Sequence, residues 1–191
     1  LPEQLYSTVV EIDERINAQG ETLTALDINQ VKTALAPLKD QGYESIAIVL
    51  MHAYQFPEHE KQINHVAKEM GFQQISVSHE ISPLIKLIGR GDTTVVDAYL
   101  TPVLRRYIDK LALALPGVRL FFMQSNGGLA NDRFFQGKNS ILSGPAGGVI
   151  GAQKTSEAVG FKKMLSFDMG GTSTDVSHYA GQLETNYDDE V

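Results

Sequence analysis

The chain of 191 residues contains no cysteine. Disulfides, thiolate zinc sites and cysteine nucleophiles are thereby excluded together, which fits a cytoplasmic setting. No apolar run approaches the roughly 20 residues that span a bilayer. Basic residues are also scarce: 16 Lys and Arg against 23 Asp and Glu leave a net charge of −7. That argues against a nucleic-acid partner or an anionic membrane surface, since both want a basic stripe. Two phosphate-binding signatures are missing. A P-loop needs Gly before Lys154-Thr155, where Gln153 stands, and the spacing of a Rossmann fingerprint is absent. There is no internal repeat and no low-complexity segment. No signal-peptide pattern stands at the start. The chain begins at Leu1 rather than Met and stops at Asp188-Asp189-Glu190-Val191, so it is expected to be a piece of a longer protein.

What is present is an ordinary globular composition, 42% apolar and 20% charged. Residues 8–16 read as an edge strand, and Asp27 as the cap of a helix whose Ile28, Val31, Leu35 and Leu38 recur at helical spacing, with Gly42 past its end. Ser45 to Met51 is a continuously apolar run, typical of a strand covered on both faces. Pro57 opens a second helix closed by Gly71, and Gln74 to Ser78 forms another strand. Helix and strand alternating over short links argue for a parallel α/β layer. Further on, Asp92 is expected to cap a helix with Val96, Tyr99, Val103 and Tyr107 on one apolar face, and Pro102 to break or kink it, with Thr101-Pro102 restarting it. A strand over 118–123, a helix over 145–159 and a meander of strands at 164–169, 175–180 and 182–187 complete the reading. A domain boundary is expected beside Gly89 and Gly91, giving 1–88 and 89–191.

The most informative run is Met164 to Val176: an apolar strand ending in Asp168, then Gly170, Gly171, Thr172, Ser173, Thr174 and Asp175. Glycines leave backbone N–H groups open to a ligand, and the three hydroxyl residues add donors suited to phosphoryl oxygens. Asp168 and Asp175 are placed to hold Mg²⁺ through water. Gly-Gly followed by Thr is also an ordinary hairpin turn. The flanking acids favour the ligand reading, because two carboxylates around a bare turn repel one another without a cation.

A second cluster holds Gly144, Pro145, Gly147, Gly148 and Gly151. Three interior glycines cost a helix on the order of 3 kcal/mol against alanine. Either a close-packed neighbour or a phosphate at the helix start offsets that cost. Ser125 and Asn126, just after a strand, are candidates for substrate or ribose, with a plain Asn-Gly turn as the alternative. Arg90 is a candidate for meeting a phosphate or carboxylate. His52, His59, His65, His79 and His178 have no regular metal spacing.

Asp168-Met169-Gly170-Gly171-Thr172-Ser173-Thr174-Asp175-Val176 resembles the second phosphate loop of the actin, sugar-kinase and heat-shock-chaperone ATPases. More narrowly, it is similar to the hydantoinase A and 5-oxoprolinase family. Met123 to Leu129, Ser143 to Val149, Thr93 to Leu100 and Leu50 to Tyr54 carry the same likeness. The resemblance implies an RNase H-like mixed sheet with flanking helices, preceded by a smaller α/β layer. It implies ATP and Mg²⁺ as cofactors, a small cyclic amide as substrate, and a second hydantoinase-type subunit or a homo-oligomer as partner. On that reading Gly170 to Thr174, with Gly144, Gly147 and Gly148, hold phosphate, and Asp168 and Asp175 orient the metal. An acetone- or acetophenone-type carboxylase subunit, a non-catalytic ATPase switch and an assembly module stand as alternatives. The superfamily's earlier Asp-x-Gly-Gly-Thr loop and its adenosine-binding glycine motif have no counterpart in these residues, so this piece alone is expected to bind ATP weakly and hydrolyse none.

Overall fold

The computed structural model describes residues 4–171 and 173–183. It forms two compact units. The first runs to Ala114 and includes Gln136–Lys138; the second holds Leu115–Phe135 and the residues from Asn139 onward. Compactness thus divides the chain after Ala114.

In the first unit, β1 (Arg15–Ile16) pairs antiparallel with β2 (Thr22–Thr24) through an irregular register. The expected strand over residues 8–16 is therefore reduced to its last two residues. Side chains hold its end instead: Asp13 accepts from Gln30 Nε2 at 2.8 Å, and Glu14 meets His59 Nδ1 at 2.6 Å. Helix α1 (Ile28–Asp40) starts as expected, with the Asp27 carboxylate accepting from the N–H groups of Asn29 and Gln30. Then β3 (Ser45–Ile48), α2 (Glu58–Glu69) and β4 (Gln74–Val77) make one βαβ unit, with β3 and β4 parallel in the register Ser45 to Gln74 and Ile48 to Val77. Val31, Leu35, Ile48, Ile63, Val66 and Val77 form its buried core.

After the short α3 (Ser78–Ile81), α4 runs without interruption from Leu87 to Ala114. Two expectations fail here. Asp92 is an exposed interior residue rather than a cap, and Pro102 does not break the helix. Proline at 102 has no N–H for the Ala98 carbonyl, and the Ser45 hydroxyl donates to that carbonyl from β3. The helix also buries the opposite face from the one expected. Tyr99, Val103 and Tyr107 are more than half exposed, while Thr94, Asp97 and Thr101 are buried. Asp97 accepts from Ser76 Oγ at 2.7 Å, from Thr101 Oγ1 at 3.1 Å and from the Lys138 backbone N–H at 3.1 Å. Satisfied polar groups make that face compatible with burial.

In the second unit, β5 (Phe121–Met123) and β6 (Leu129–Asn131) form an antiparallel hairpin. Helix α5 (Ser143–Ala158) starts two residues earlier than expected, which places Pro145 in a first turn where its missing N–H costs no bond. A second hairpin joins β7 (Met164–Met169) to β8 (Thr174–Tyr179). The strand expected at 182–187 falls mostly outside the described residues. The architecture is mixed α/β, and among the described residues no helix is long and apolar enough to cross a membrane.

The Ser45 hydroxyl is testable by a double-mutant cycle in urea unfolding. Ser45→Ala orphans the Ala98 carbonyl and is expected to cost about 1–3 kcal/mol. In a Pro102→Ala background the new N–H takes that carbonyl, and the same change is expected to cost at least ~1 kcal/mol less. Strict additivity would refute the rescue.

Candidate functional site

Strand β7 ends where the sequence turns from Phe and Met to Asp168, Gly170 and Gly171. The hairpin closes over four residues, with the Gly170 N–H donating to the Ser173 carbonyl at 2.9 Å. This register makes Asp168 the direct cross-strand partner of Asp175, and Met169 that of Thr174. Side chains opposite one another share a face. Asp168, Asp175, Ser166 and Ser177 therefore lie together, and the two serine hydroxyls bond at 2.6 Å. Leu165, Phe167, Met169 and Val176 occupy the other face, each at least 60% exposed. Neither Gly170 nor Gly171 adopts a left-handed backbone, and a Cβ on Gly171 would meet nothing within 4 Å. The turn's own geometry demands no glycine at 171. Thr172 lies outside the described residues.

The carboxylate face looks onto α5. Between them lies a groove of about 350 Å³, whose lining includes Gly148, Val149 and Ala152 of α5 and Ser166, Asp168 and Asp175 of the hairpin. A Cβ built on Gly148 would stand 3.5 Å from Asp168 Oδ2, and one on Gly147 would stand 3.5 Å from Met123 Cγ. Gly144 and Gly151 face open space within 4 Å. So one glycine of the second cluster, Gly148, stands at the carboxylate that precedes the first, twenty residues on in the chain. Among the described residues no group of three metal-ligating side chains exists, and neither Asp168 nor Asp175 has a basic partner at ion-pair distance. Two uncompensated carboxylates suit a hard cation that keeps much of its shell in water and phosphate oxygens.

The remaining candidates are engaged in structure. Asn126 Oδ1 accepts from the Gly128 N–H at 2.9 Å, and Gly127 has φ +79°. Ser125 Oγ donates to the Asn139 carbonyl at 2.9 Å and receives the Leu142 N–H at 3.3 Å. The pair thus forms a turn between antiparallel strands. Arg90 is fully buried in the first unit. Its Nε donates to Ser78 Oγ at 2.9 Å, Nη1 to the carbonyls of Leu84 and Ile85, and Nη2 to those of Leu50 and Met51. Every N–H of the guanidinium is accounted for. Burial pulls its pKa below the ordinary arginine value while Glu60 works the other way. Buried Glu60 accepts from Leu50 N, Ser78 Oγ and both His79 N and Nδ1 at 2.6 to 3.1 Å.

The sequence assigned no role to Ser166, Ser177 or Glu60. The two serines had a signal, since alternation along 164–169 and 174–179 puts them on the carboxylate face.

The family model for hydantoinase/oxoprolinase matches residues 90–191, and that for the hydantoinase/oxoprolinase N-terminal region matches residues 1–71. The chain belongs to the hydantoinase/oxoprolinase family. It is 41% identical to 5-oxoprolinase 1 of Arabidopsis thaliana over 96% of its own length and 16% of that protein's. Among solved structures it resembles acetone carboxylase in its nucleotide-free form (TM-score 0.78, 27% identity, 91% of this chain and 26% of that one). It also resembles the ATP-dependent caprolactamase of Pseudomonas jessenii (TM-score 0.76, 31% identity, 87% of this chain and 25% of that one). This hydantoinase/oxoprolinase chain thus spans about a sixth to a quarter of the proteins it matches.

The open surroundings of α5 give a direct test in the 191-residue chain. Gly148→Ala and Gly151→Ala are each expected to stabilise it by about 0.5–1 kcal/mol, as glycine-to-alanine changes do where the backbone is already helical. Destabilisation in thermal or urea unfolding would show that these positions are not as open as described.

Proposed function

We propose that this chain is a segment of an ATP-dependent hydrolase that opens a cyclic amide, and that its β7–β8 turn carries part of the phosphate and metal site. The observation behind this reading is the opposition of Asp168 and Asp175 above a two-glycine turn, on the face that meets Gly148. The family membership, the 5-oxoprolinase relative and the ATP-dependent caprolactamase neighbour support the same chemistry. Bound there, ATP and Mg²⁺ would supply phosphoryl-transfer chemistry and the positive charge that offsets it, the means of making an unreactive amide open to water. In this reading the N–H groups of Gly171 and Ser173 would donate to phosphate oxygens, Gly170 would close the turn through its bond to the Ser173 carbonyl, and the hydroxyls called for by the sequence at Thr172 and Thr174 would add donors. Asp168 and Asp175 accept from the water shell of the cation, and Gly144, Gly147 and Gly148 let phosphate approach α5. The residues supply positioning and electrostatic complementarity rather than covalent chemistry.

The finer architecture belongs to the same proposal: an RNase H-like sheet built on residues 89–191, preceded by the end of an N-terminal region over 1–88, acting in the cytoplasm with a second subunit or copy. A carboxylase reading is favoured by one observation, the likeness to acetone carboxylase. Dependence of turnover on bicarbonate separates it from the hydrolase.

The test uses the full-length polypeptide. Asp168→Asn is expected to lower ATP-dependent ring opening by about 100-fold, the upper end of what disturbing a metal's surroundings costs. Unchanged turnover would sink the assignment. Gly148→Ala should reduce activity too, despite stabilising its helix, because the added methyl displaces water from Asp168.

A further inference from the structure

The β7–β8 hairpin presents its polar face to α5 and leaves Leu165, Phe167, Met169 and Val176 exposed. Apolar burial within the second unit would favour the reverse orientation, so something specific holds the carboxylates inward. The contacts lie at the foot of the hairpin. Tyr179 is 6% exposed and forms the first rung with Met164. Its hydroxyl donates to Glu157 Oε1 at 3.0 Å, and Gln153 Nε2, from a buried side chain one helical turn earlier, donates to the same oxygen at 3.0 Å. Lys154 Nζ reaches Glu157 Oε2 at 3.3 Å, and Ser156 Oγ stands 3.4 Å from Met164 Sδ. Above this foot, the face climbs from Met164 and Tyr179 through the bonded Ser166–Ser177 pair to Asp168 and Asp175. Since side chains alternate along a strand, the face fixed at the first rung determines the face at the fifth.

We propose that Glu157 is a positioning residue: by holding Tyr179 at the foot of the hairpin it selects the face that brings Asp168 and Asp175 to α5. The proposal rests on the reading of those carboxylates as the metal-holding pair. Glu157 touches no phosphate or metal and acts only through the hairpin. Its carboxyl is held below the ordinary glutamate value by hydrogen bonds from Gln153, Tyr179 and Lys154. For a lowered carboxyl the fastening is fully present above the ordinary glutamate range and is lost as pH falls through the lowered value. It is therefore intact at neutral pH.

Steady-state kinetics of the full-length enzyme, varying ATP and Mg²⁺ separately, decide the matter. Glu157→Ala and Tyr179→Phe are expected to raise the KM for ATP and the Mg²⁺ concentration at half-maximal activity by about 10-fold, a typical effect of disturbing groups behind a metal's ligands. The kcat at saturation should change little. Glu157→Gln keeps an acceptor oxygen for Tyr179 and should restore both constants. Tyr179→Phe removes a single oxygen, so it tests the contact even if Glu157→Ala folds poorly. If the variants lose only kcat, in proportion to folded protein, or leave both constants unchanged, Glu157 is not a positioning residue. Asp168→Asn in the same assay separates the two ideas. If it abolishes the Mg²⁺ response while the Glu157 variants do not shift it, only the positioning role fails. If it too leaves the response intact, the metal reading fails first.

Discussion

Two carboxylates facing one another across a hairpin define the second unit. Asp168 and Asp175 are direct partners, and like charges directly opposite on a sheet destabilise it. A hairpin of two strands is marginal on its own, so it has little stability to spare for such a pair. Neighbouring serines that bond each other, and a helix that offers glycine at the point of contact, relieve none of that repulsion. A cation would. In the proposed reading, Mg²⁺ is that cation.

The first unit solves a different problem, by giving the polar groups around α4 partners. Gly89 and Gly91 and Pro102 all weaken α4, yet the helix runs through them. Arg90 binds four carbonyls and Ser78 at its start, and Ser45 caps the carbonyl that Pro102 leaves without a donor. Asp97 draws together β4, α4 and Lys138 in one three-donor cluster. Fully satisfied networks of this kind rigidify, and removing one member leaves the others buried without partners.

Local signals were legible and distant ones were not. Asp27, Gly42 and Gly71 mark helix ends through caps and left-handed turns that depend on residues within four positions. The βαβ order follows from the apolar run at 45–51 and the helical spacing after Pro57. The stripe through Tyr99, Val103 and Tyr107 has helical period, and that much was right, but period alone does not say which face is buried. The partners of Asp97 sit 21 and 41 residues away in sequence, so nothing near α4 announces that its polar side is the packed one. At the site, the acids and glycines stood out by composition. The opposition of the acids followed from the four-residue loop. Ser125 and Asn126 were read against a parallel strand, and their strand proved antiparallel, where the same residues simply make the turn.

The polarity of the β7–β8 hairpin carries the argument one step further. Burying a side chain of the size of Leu165, Phe167 or Val176 is worth about 1.5–3 kcal/mol, whereas a typical hydrogen bond contributes about 1 kcal/mol net. Three such residues on the open face outweigh the few polar contacts on the closed one. Their exposure among the described residues leaves that gain unrealised within the second unit. The carboxylate face, by contrast, gains nothing from being covered by protein, since burial without a cation would penalise both charges. One hairpin thus separates an apolar side from an acidic side by the alternation of its side chains. A shift of one residue in register would exchange them, which is why the alignment of Asp168 with Asp175 matters more to this unit than any single contact around it.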